Sequence, residues 1–260
     1  MIKSKLNNLI NYAKIMIVII RVCDNFLNIF LCKILNKNIY SINMRGGIKF
    51  IINGQLGKAD LSMLVEIWHN KYYNPINFEI STKDIVFDIG ANNGFFTIFA
   101  ALQAQKVYAF EPLTKLFDKI QKTIEVNGIK NITLENLGLA KEKGYFSFYE
   151  SHIHNGCHSL YKRNISDTEI KIPVISLEDY CLEKGIARID FLKLDCEGAE
   201  YQILENMSEQ FLRNSILKIS MEYHDDIVPN KTHKILIDLL SKNNYKVLVN
   251  NGFLYAINQN

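Results

Sequence analysis

Asp88-Ile89-Gly90-Ala91-Asn92-Asn93-Gly94 is the stretch whose reading decides the fold. The apolar run from Asp84 to Asp88 ahead of it reads as a short strand, and Gly94 to Gln103 behind it reads as a helix. Gly90 and Gly94 permit a tight turn and a close backbone approach to a ligand. The helix start that follows offers N–H groups without intrahelical partners. Strand, glycine-bearing turn and helix in this order place a ligand at the carboxyl end of a parallel strand.

The same rhythm continues outward. Lys106 to Phe110 reads as a strand ending in Glu111-Pro112, Thr114 to Asn127 as a helix closed by Gly128, and Ile132 to Leu137 as a third strand. Tyr145 to Tyr149 alternates as an antiparallel strand would, and Ile170 to Ile175 follows a polar stretch, Ser151 to Ser166. Ile189 to Leu194 and Ile216 to Glu222 read as buried strands, with helices over Ala199 to Met207 and Thr232 to Asn243. Tyr245 to Val249 and Phe253 to Ile257 close the chain as a hairpin through Asn250-Asn251-Gly252. Alternating strands and helices predict an α/β fold: a mostly parallel sheet covered on both faces, with a C-terminal antiparallel hairpin. Ahead of it, residues 1–75 form an extension made of a basic apolar helix from about Leu6 to Leu35, a hairpin turned at Arg45-Gly46-Gly47, and a helix over Ala59 to Lys71 capped by Asp60 or Ser62. Residues 76–260 form the main domain.

Ligands of such folds sit at strand ends, which selects four groups of residues. In the glycine turn, Asp88, Gly90, Ala91, Asn92 and Gly94 would hold a ligand, and Glu111 could accept both hydroxyls of a ribose. The glycine spacing is not G-x-G-x-x-G, which lowers a dinucleotide reading. At the end of the strand Ile189 to Leu194, Asp195 and Glu197 face the crevice, whereas Glu200 reads as charging the first turn of a helix. Met221-Glu222-Tyr223-His224 places a carboxylate and an imidazole two residues apart, pointing the same way along extended chain. Asp195, Glu222 and His224 are thus candidates for chemistry, with Asp195 or His224 as general base. Asp195, Glu197 and Glu222 are the alternative, as ligands of a divalent ion. Finally, His152, His154, Cys157 and His158 fit no standard zinc-finger spacing. That segment reads as a mobile loop over the substrate, with His154, Asn155 and Ser159 reaching it.

Composition narrows the partners. The formal net charge is +3 and no basic stripe with interleaved aromatics occurs, so nucleic acid is not expected. Cys23, Cys32, Cys157, Cys181 and Cys196 are odd in number and lack a C-x-x-C pair, which fits a reducing, cytoplasmic compartment. The apolar run Ile15 to Ile20 sits between Lys14 and Arg21, short of the roughly 20 apolar residues of a spanning helix. Lys3, Lys5, Lys14, Arg21, Lys33 and Lys37 crowd this part of the chain, where Asp24 is the sole acid. The basic helix is expected to pack on the domain or on a second subunit; the alternative is peripheral contact with an anionic membrane.

Four motifs together make the resemblance specific. Asp88 to Gly94 with Thr97, Phe110-Glu111-Pro112, Leu194-Asp195-Cys196-Glu197-Gly198-Ala199-Glu200 and Met221-Glu222-Tyr223-His224 resemble, in order and spacing, the FkbM family of methyltransferases. The resemblance covers the chain from about Tyr73 to its end. It implies a Rossmann-like class I methyltransferase fold and S-adenosylmethionine as cofactor. It further implies methylation of hydroxyl oxygens on a small-molecule or glycan acceptor, such as a sugar or glycan precursor. By the family's pattern, Gly90 to Gly94 line the methionine moiety, Glu111 binds the ribose, and Asn136 stands at the adenine edge. Two rivals remain from other classes: a nicotinamide-dependent oxidoreductase, and a non-catalytic, membrane-associated accessory protein with a degenerate nucleoside site.

Overall fold

A computed structural model describes residues 2–151, 158–225 and 227–260, with side chains described from residue 12 onward. In chain order the elements begin with α1 (Ile2–Val22), α2 (Phe26–Ile34), β1 (Ile39–Asn43), β2 (Lys49–Gly54) and α3 (Lys58–Trp68). There follow β3 (Ile85–Ile89), α4 (Phe95–Ala101), β4 (Lys106–Phe110), α5 (Thr114–Val126) and β5 (Ile132–Glu135). Next come β6 (Gly138–Leu139), β7 (Gly144–Glu150), β8 (Thr168–Ile175), α6 (Leu177–Lys184) and β9 (Ile189–Leu194). The last are α7 (Ala199–Glu205), α8 (Glu209–Ser215), β10 (Ile216–Glu222), α9 (His233–Lys242), β11 (Tyr245–Asn250) and β12 (Phe253–Asn258).

The central sheet has seven strands in the order β11-β12-β10-β9-β3-β4-β5. The pairs β10–β9, β9–β3, β3–β4 and β4–β5 are parallel, and β12 runs antiparallel to both β10 and β11. This is α/β, with a mostly parallel sheet and a C-terminal antiparallel hairpin, as expected. Every residue of β9 is buried, as a central strand covered on both faces requires. The two-residue alternation of the strands feeds two separate cores. Val86 and Phe191 point to one face, which is covered by α1, α3, α4 and the β1–β2 hairpin. Phe87, Ile89, Leu192 and Leu194 point to the other, covered by α6, α7, α8 and α9.

The N-terminal extension therefore supplies much of one face of the core, and that core runs across position 75 without a break. The hairpin is fixed to α5: the Ile51 N–H donates to Thr123 Oγ1 at 3.0 Å and the Lys49 N–H to Asn127 Oδ1 at 2.9 Å. The expected single helix from Leu6 to Leu35 is two helices, α1 and α2. Asn25 interrupts it, because its side chain donates to the Ser41 carbonyl (2.8 Å) and accepts from the Asn43 N–H (2.9 Å), tying the turn to β1. Helix α3 is capped at Gly57 rather than at Asp60 or Ser62; Asp60, three residues on, accepts the Gly57 N–H at 2.6 Å. The region after β5 also departs from a simple alternation. Strands β6, β7 and β8 form their own three-stranded sheet beside the main one, with β7 and β8 antiparallel over seven residue pairs. Asn206 ends α7 early, and Ser208 starts α8 by accepting the Phe211 N–H, a helix for which the sequence reading had no counterpart.

Candidate active site

The carboxyl ends of β3, β4, β9 and β10 open into a cavity of about 390 Å³. Helix α3 walls it on one side with Ser62, Met63 and Glu66; the small sheet walls the other with Leu139, Phe148 and Ile172. Its volume falls within the range of small-molecule sites.

Backbone geometry at the glycine turn explains the residue types. Gly90, Asn92 and Gly94 all have positive φ, at 78°, 53° and 74°. A Cβ on Gly90 would lie 2.0 Å from the Asp195 carbonyl oxygen, so β3 and β9 approach closely there because the residue is glycine. Beneath this turn lies a buried ionic cluster. Asp88, fully buried, accepts from Thr97 Oγ1 at 2.6 Å and pairs with the Lys193 ammonium at 2.9 Å. Lys193 is 3% exposed; it also donates to the Gly90 carbonyl at 2.9 Å and stands 3.7 Å from Asp195. Its ammonium lies 5.3 Å from the centroid of the Tyr73 ring. Burial works against its charge, but Asp88 and Asp195 outweigh it and hold the Lys193 pKa above its ordinary value.

Of the residues expected to hold a cofactor, Gly90, Asn92 and Glu111 line the cavity. Glu111 is buried and accepts the Asn92 N–H at 2.7 Å and the Leu113 N–H at 2.9 Å. Burial pushes its carboxyl up to about 7, against the pull of those two N–H groups. Each of its oxygens keeps a second lone pair for a hydroxyl donor. Asp88, Ala91, Gly94 and Asn136 are not among the residues that line the cavity. Asp88 sits under the turn, fully committed to Thr97 and Lys193. Ala91 and Gly94 shape the turn without facing the described cavity walls. Asn136 donates its amide to the Glu111 and Pro112 carbonyls at 2.9 and 3.2 Å and accepts from Thr114, so its side chain braces the end of β4.

One end of the cavity is acidic. Tyr73, 4% exposed, brings its hydroxyl within 2.8 Å of Asp195 Oδ2 and 3.1 Å of Glu222 Oε2. The sequence reading gave Tyr73 no role, since a tyrosine in a loop carries no local signal. Burial, then the Asp195 charge, push Glu222 up to about 7. Burial and Asp195 likewise raise Glu66, and burial carries Glu197 to about 7 despite His224 and Arg163 beside it. Arg163 reaches Glu197 Oε2 at 2.5 Å. Among the described wall residues Glu66, Glu111, Asp195, Glu197 and Glu222 are acids, and none is a lysine or arginine.

His224 does not fit the part of general base. Its Nδ1 is 3.0 Å from Glu200 and its Nε2 is 3.7 Å from Glu197. Burial opposes its charge, yet the Glu200 hydrogen bond and the surrounding carboxylates raise its pKa to about 10, so it is an imidazolium at neutral pH. Glu200 caps its turn as expected, accepting the Cys196 and Gly198 N–H groups at 2.8 Å each, and holds His224 besides. In place of the expected metal set, the described residues whose ligand atoms converge within 4.8 Å are Asp195, Glu222 and His224; Glu197 is not among them.

His154 and Asn155, expected to reach the substrate, lie outside the described residues, as do His152 and Cys157. Ser159 is fully buried; its hydroxyl donates to the Glu197 carbonyl at 2.5 Å and accepts the Tyr161 N–H at 3.0 Å. It fixes the backbone of Glu197 and is not among the residues that line the cavity. His158 does line the cavity.

Residues 88–247 match the family described as the methyltransferase FkbM domain. The chain is 26% identical over 194 residues to the 31-O-demethyl-FK506 methyltransferase FkbM of Streptomyces tacrolimicus, covering 62% of this chain and 73% of that protein. It is 24% identical over 166 residues to Methyltransferase 1 of Beauveria bassiana, covering 56% of this chain and 66% of that protein. Among solved structures, the methyltransferase FkbM from Methylobacillus flagellatus matches at a TM-score of 0.48 and 14% identity, over 74% of this chain and 47% of that one. The matched residues take in the glycine turn, Glu111 and the strand ends that carry Asp195 and Glu222, and the chain belongs to the FkbM family of S-adenosylmethionine-dependent methyltransferases.

Proposed function

We propose that this chain transfers a methyl group to a hydroxyl oxygen of a sugar or glycan precursor, with Asp195 taking the hydroxyl proton. The observation that carries this reading is the Tyr73-bridged pair of Asp195 and Glu222 at the cavity wall. Tyr73 has one proton to give. It donates that proton to Asp195, the nearer oxygen, and a proton on Glu222 completes the second contact. The two carboxyls then stand side by side with the Tyr73 hydroxyl between them. Both carboxyls keep lone pairs that accept hydrogen bonds from neighbouring hydroxyls of a polyol. S-adenosylmethionine, when bound, supplies a methyl on a positively charged sulfur, open to in-line displacement by oxygen. The protein's part is positioning and proton removal. Gly90 and Asn92 admit the ligand close to the backbone, Glu111 accepts the ribose hydroxyls, and Leu139, Phe148 and Ile172 supply an apolar wall. Oxygen as the acceptor atom also draws support from the Streptomyces relative, whose name specifies a 31-O-demethyl substrate.

The acid-rich wall disfavours a nicotinamide dinucleotide, because its pyrophosphate would bring two negative charges among carboxylates with no lysine or arginine on the described walls. A second reading has a divalent cation held by Asp195, Glu222 and His224, the ion displacing the imidazolium proton. The Glu200–His224 contact favours it, since a carboxylate on the far ring nitrogen orients an imidazole for ligation. Such an ion would lower the pKa of a hydroxyl. The test uses Asp195→Asn with radiolabelled methyl transfer into fractionated cell extract. Transfer is lost while S-adenosylhomocysteine affinity stays within a few fold. Full transfer by Asp195→Asn removes Asp195 from the chemistry, and loss of wild-type transfer in EDTA, restored by a divalent cation, decides for the second reading.

A further inference from the structure

Helix α2 has one buried face and one bare one. Ile29 is fully buried, while Leu27, Phe30, Leu31 and Ile34 are 64%, 42%, 54% and 63% exposed. These four stand at i, i+3, i+4 and i+7, a single helical face, and Leu35 beyond the helix end is 57% exposed. Helix α1 repeats the arrangement: Met16, Ile19 and Cys23 just past its end face the core, and Ile17 and Ile20 face out beside the exposed Lys14 and Arg21. Singly scattered exposed apolar residues need no explanation, whereas a contiguous stripe marks an interaction surface.

Charge selects the occupant. Around this stripe Lys14, Arg21 and Lys37 are exposed cations, and Asp24, the sole acid in this part of the sequence, lies 3.9 Å from Arg45. A twofold contact with a second copy would set the same patch against itself, cations against cations. An anionic surface meets both features at once: apolar residues enter the acyl boundary and basic residues meet phosphates. No helix among the described residues is long and apolar enough to cross a membrane, so the arrangement is one of lying on a bilayer. The position relative to the site is also specific. Helix α1 packs along α3, and the cleft between them, about 480 Å³, is lined by Lys14, Val18, Ser62 and Glu66. Ser62 and Glu66 line the catalytic cavity as well.

We propose that the exposed faces of α1 and α2 dock this chain on an anionic phospholipid bilayer, with Leu27, Phe30, Leu31 and Ile34 in the interface and Lys14, Arg21 and Lys37 on lipid phosphates. The docked helices then border the cleft that adjoins the catalytic cavity, on the side from which an acceptor held at the membrane would approach.

The test is sedimentation of the full chain with vesicles of phosphatidylcholine alone or with about one-third phosphatidylglycerol. Wild type sediments with the anionic vesicles, weakly with the neutral ones, and is released by high salt. Leu27→Asp with Leu31→Asp lowers partitioning at least about tenfold, equal to about 1.4 kcal/mol. Both positions are exposed, and an unchanged melting temperature shows that the fold is intact. If that variant melts early, Arg21→Glu with Lys37→Glu, confined to exposed charges, must show the same loss. The proposal is overturned if wild type ignores anionic vesicles or if a correctly folded variant binds as wild type does. It is equally overturned if sedimentation velocity finds a dimer that Leu27→Asp with Leu31→Asp dissociates, since a second copy is then the occupant.

Discussion

Replacing Lys193 by methionine removes the cation paired with Asp88 while keeping an unbranched apolar stem in β9. Asp88 is fully buried, and the Lys193 ammonium 2.9 Å away balances its charge; the Thr97 hydroxyl alone remains after the substitution. Breaking a buried pair from one side costs about 3–5 kcal/mol, because the stranded charge must either stay uncompensated or take up a proton. At roughly 2–4 °C per kcal/mol for a domain of this size, the melting temperature falls by about 6–20 °C. Trp68, the sole tryptophan, packs edge-on against Phe50 and Phe99 at 5.7 and 5.6 Å in the same core and reports urea unfolding by fluorescence. The decisive variant is the double one, Lys193→Met with Asp88→Asn. Asparagine keeps an acceptor for Thr97 without the charge, so the double variant recovers at least about 2 kcal/mol of the single variant's loss. Lys193→Met within about 1 kcal/mol of wild type, or a double variant no better than the single, refutes the account of this cluster.

Two further perturbations address the cofactor end of the cavity. Gly90→Ala places a Cβ 2.0 Å from the Asp195 carbonyl at a φ of 78°; backbone strain alone costs about 1–2 kcal/mol, and S-adenosylhomocysteine binding, followed by calorimetry, is lost together with stability. Retained affinity would mean that β3 and β9 can part without harm to the site. Glu111→Gln removes the charge that accepts hydroxyl donors and leaves one amide oxygen for the Asn92 and Leu113 N–H groups. Cofactor affinity then falls roughly 10- to 100-fold, the worth of about 1.5–3 kcal/mol for hydrogen bonds to a charged group, and an unchanged dissociation constant excludes Glu111 as the ribose acceptor.

Why some of this was legible in the sequence and some not follows from the range of each interaction. Gly90, Gly94 and Glu111 owe their positions to a turn and a strand end that neighbouring residues specify, so local pattern finds them. Asp195 and Glu222 were reachable because topology puts the ends of adjacent parallel strands β9 and β10 side by side. Tyr73 meets them across 122 and 149 residues of chain, from the extension, and no periodicity encodes such a contact. Lys193 did leave a trace: a lone cation inside the apolar strand Ile189–Leu194, which folds buried along its whole length and so must find a carboxylate. His224 misled for the opposite reason. Its spacing from Glu222 was read correctly, but its protonation depends on Glu200, which sequence assigns to a helix cap and which the fold turns toward the imidazole.

The excess of acid around the cavity carries a consequence for the reaction cycle. Glu66, Glu111, Glu197 and Glu222 are all raised, three of them to about 7, with burial as the largest cause in each. Near neutral pH the free site therefore holds protons that a bound positive charge would expel. The reactant carries such a charge on sulfur, and the demethylated product does not. Linkage fixes the sign: a ligand that lowers a carboxyl pKa binds more tightly as pH rises through the free-site value, here about 7, and levels off above it. His224, raised to about 10, stays protonated throughout this window and does not contribute. Contacts common to both ligands, including those of Glu111 with the ribose, cancel in the ratio of their affinities. That ratio, measured by calorimetry, should turn toward S-adenosylmethionine by about tenfold between pH 6 and pH 8 if one carboxyl is strongly coupled to the sulfonium. Parallel pH profiles for the two ligands would show that the acids stand too far from the sulfur to sense it, and the acidic wall would then serve the acceptor alone.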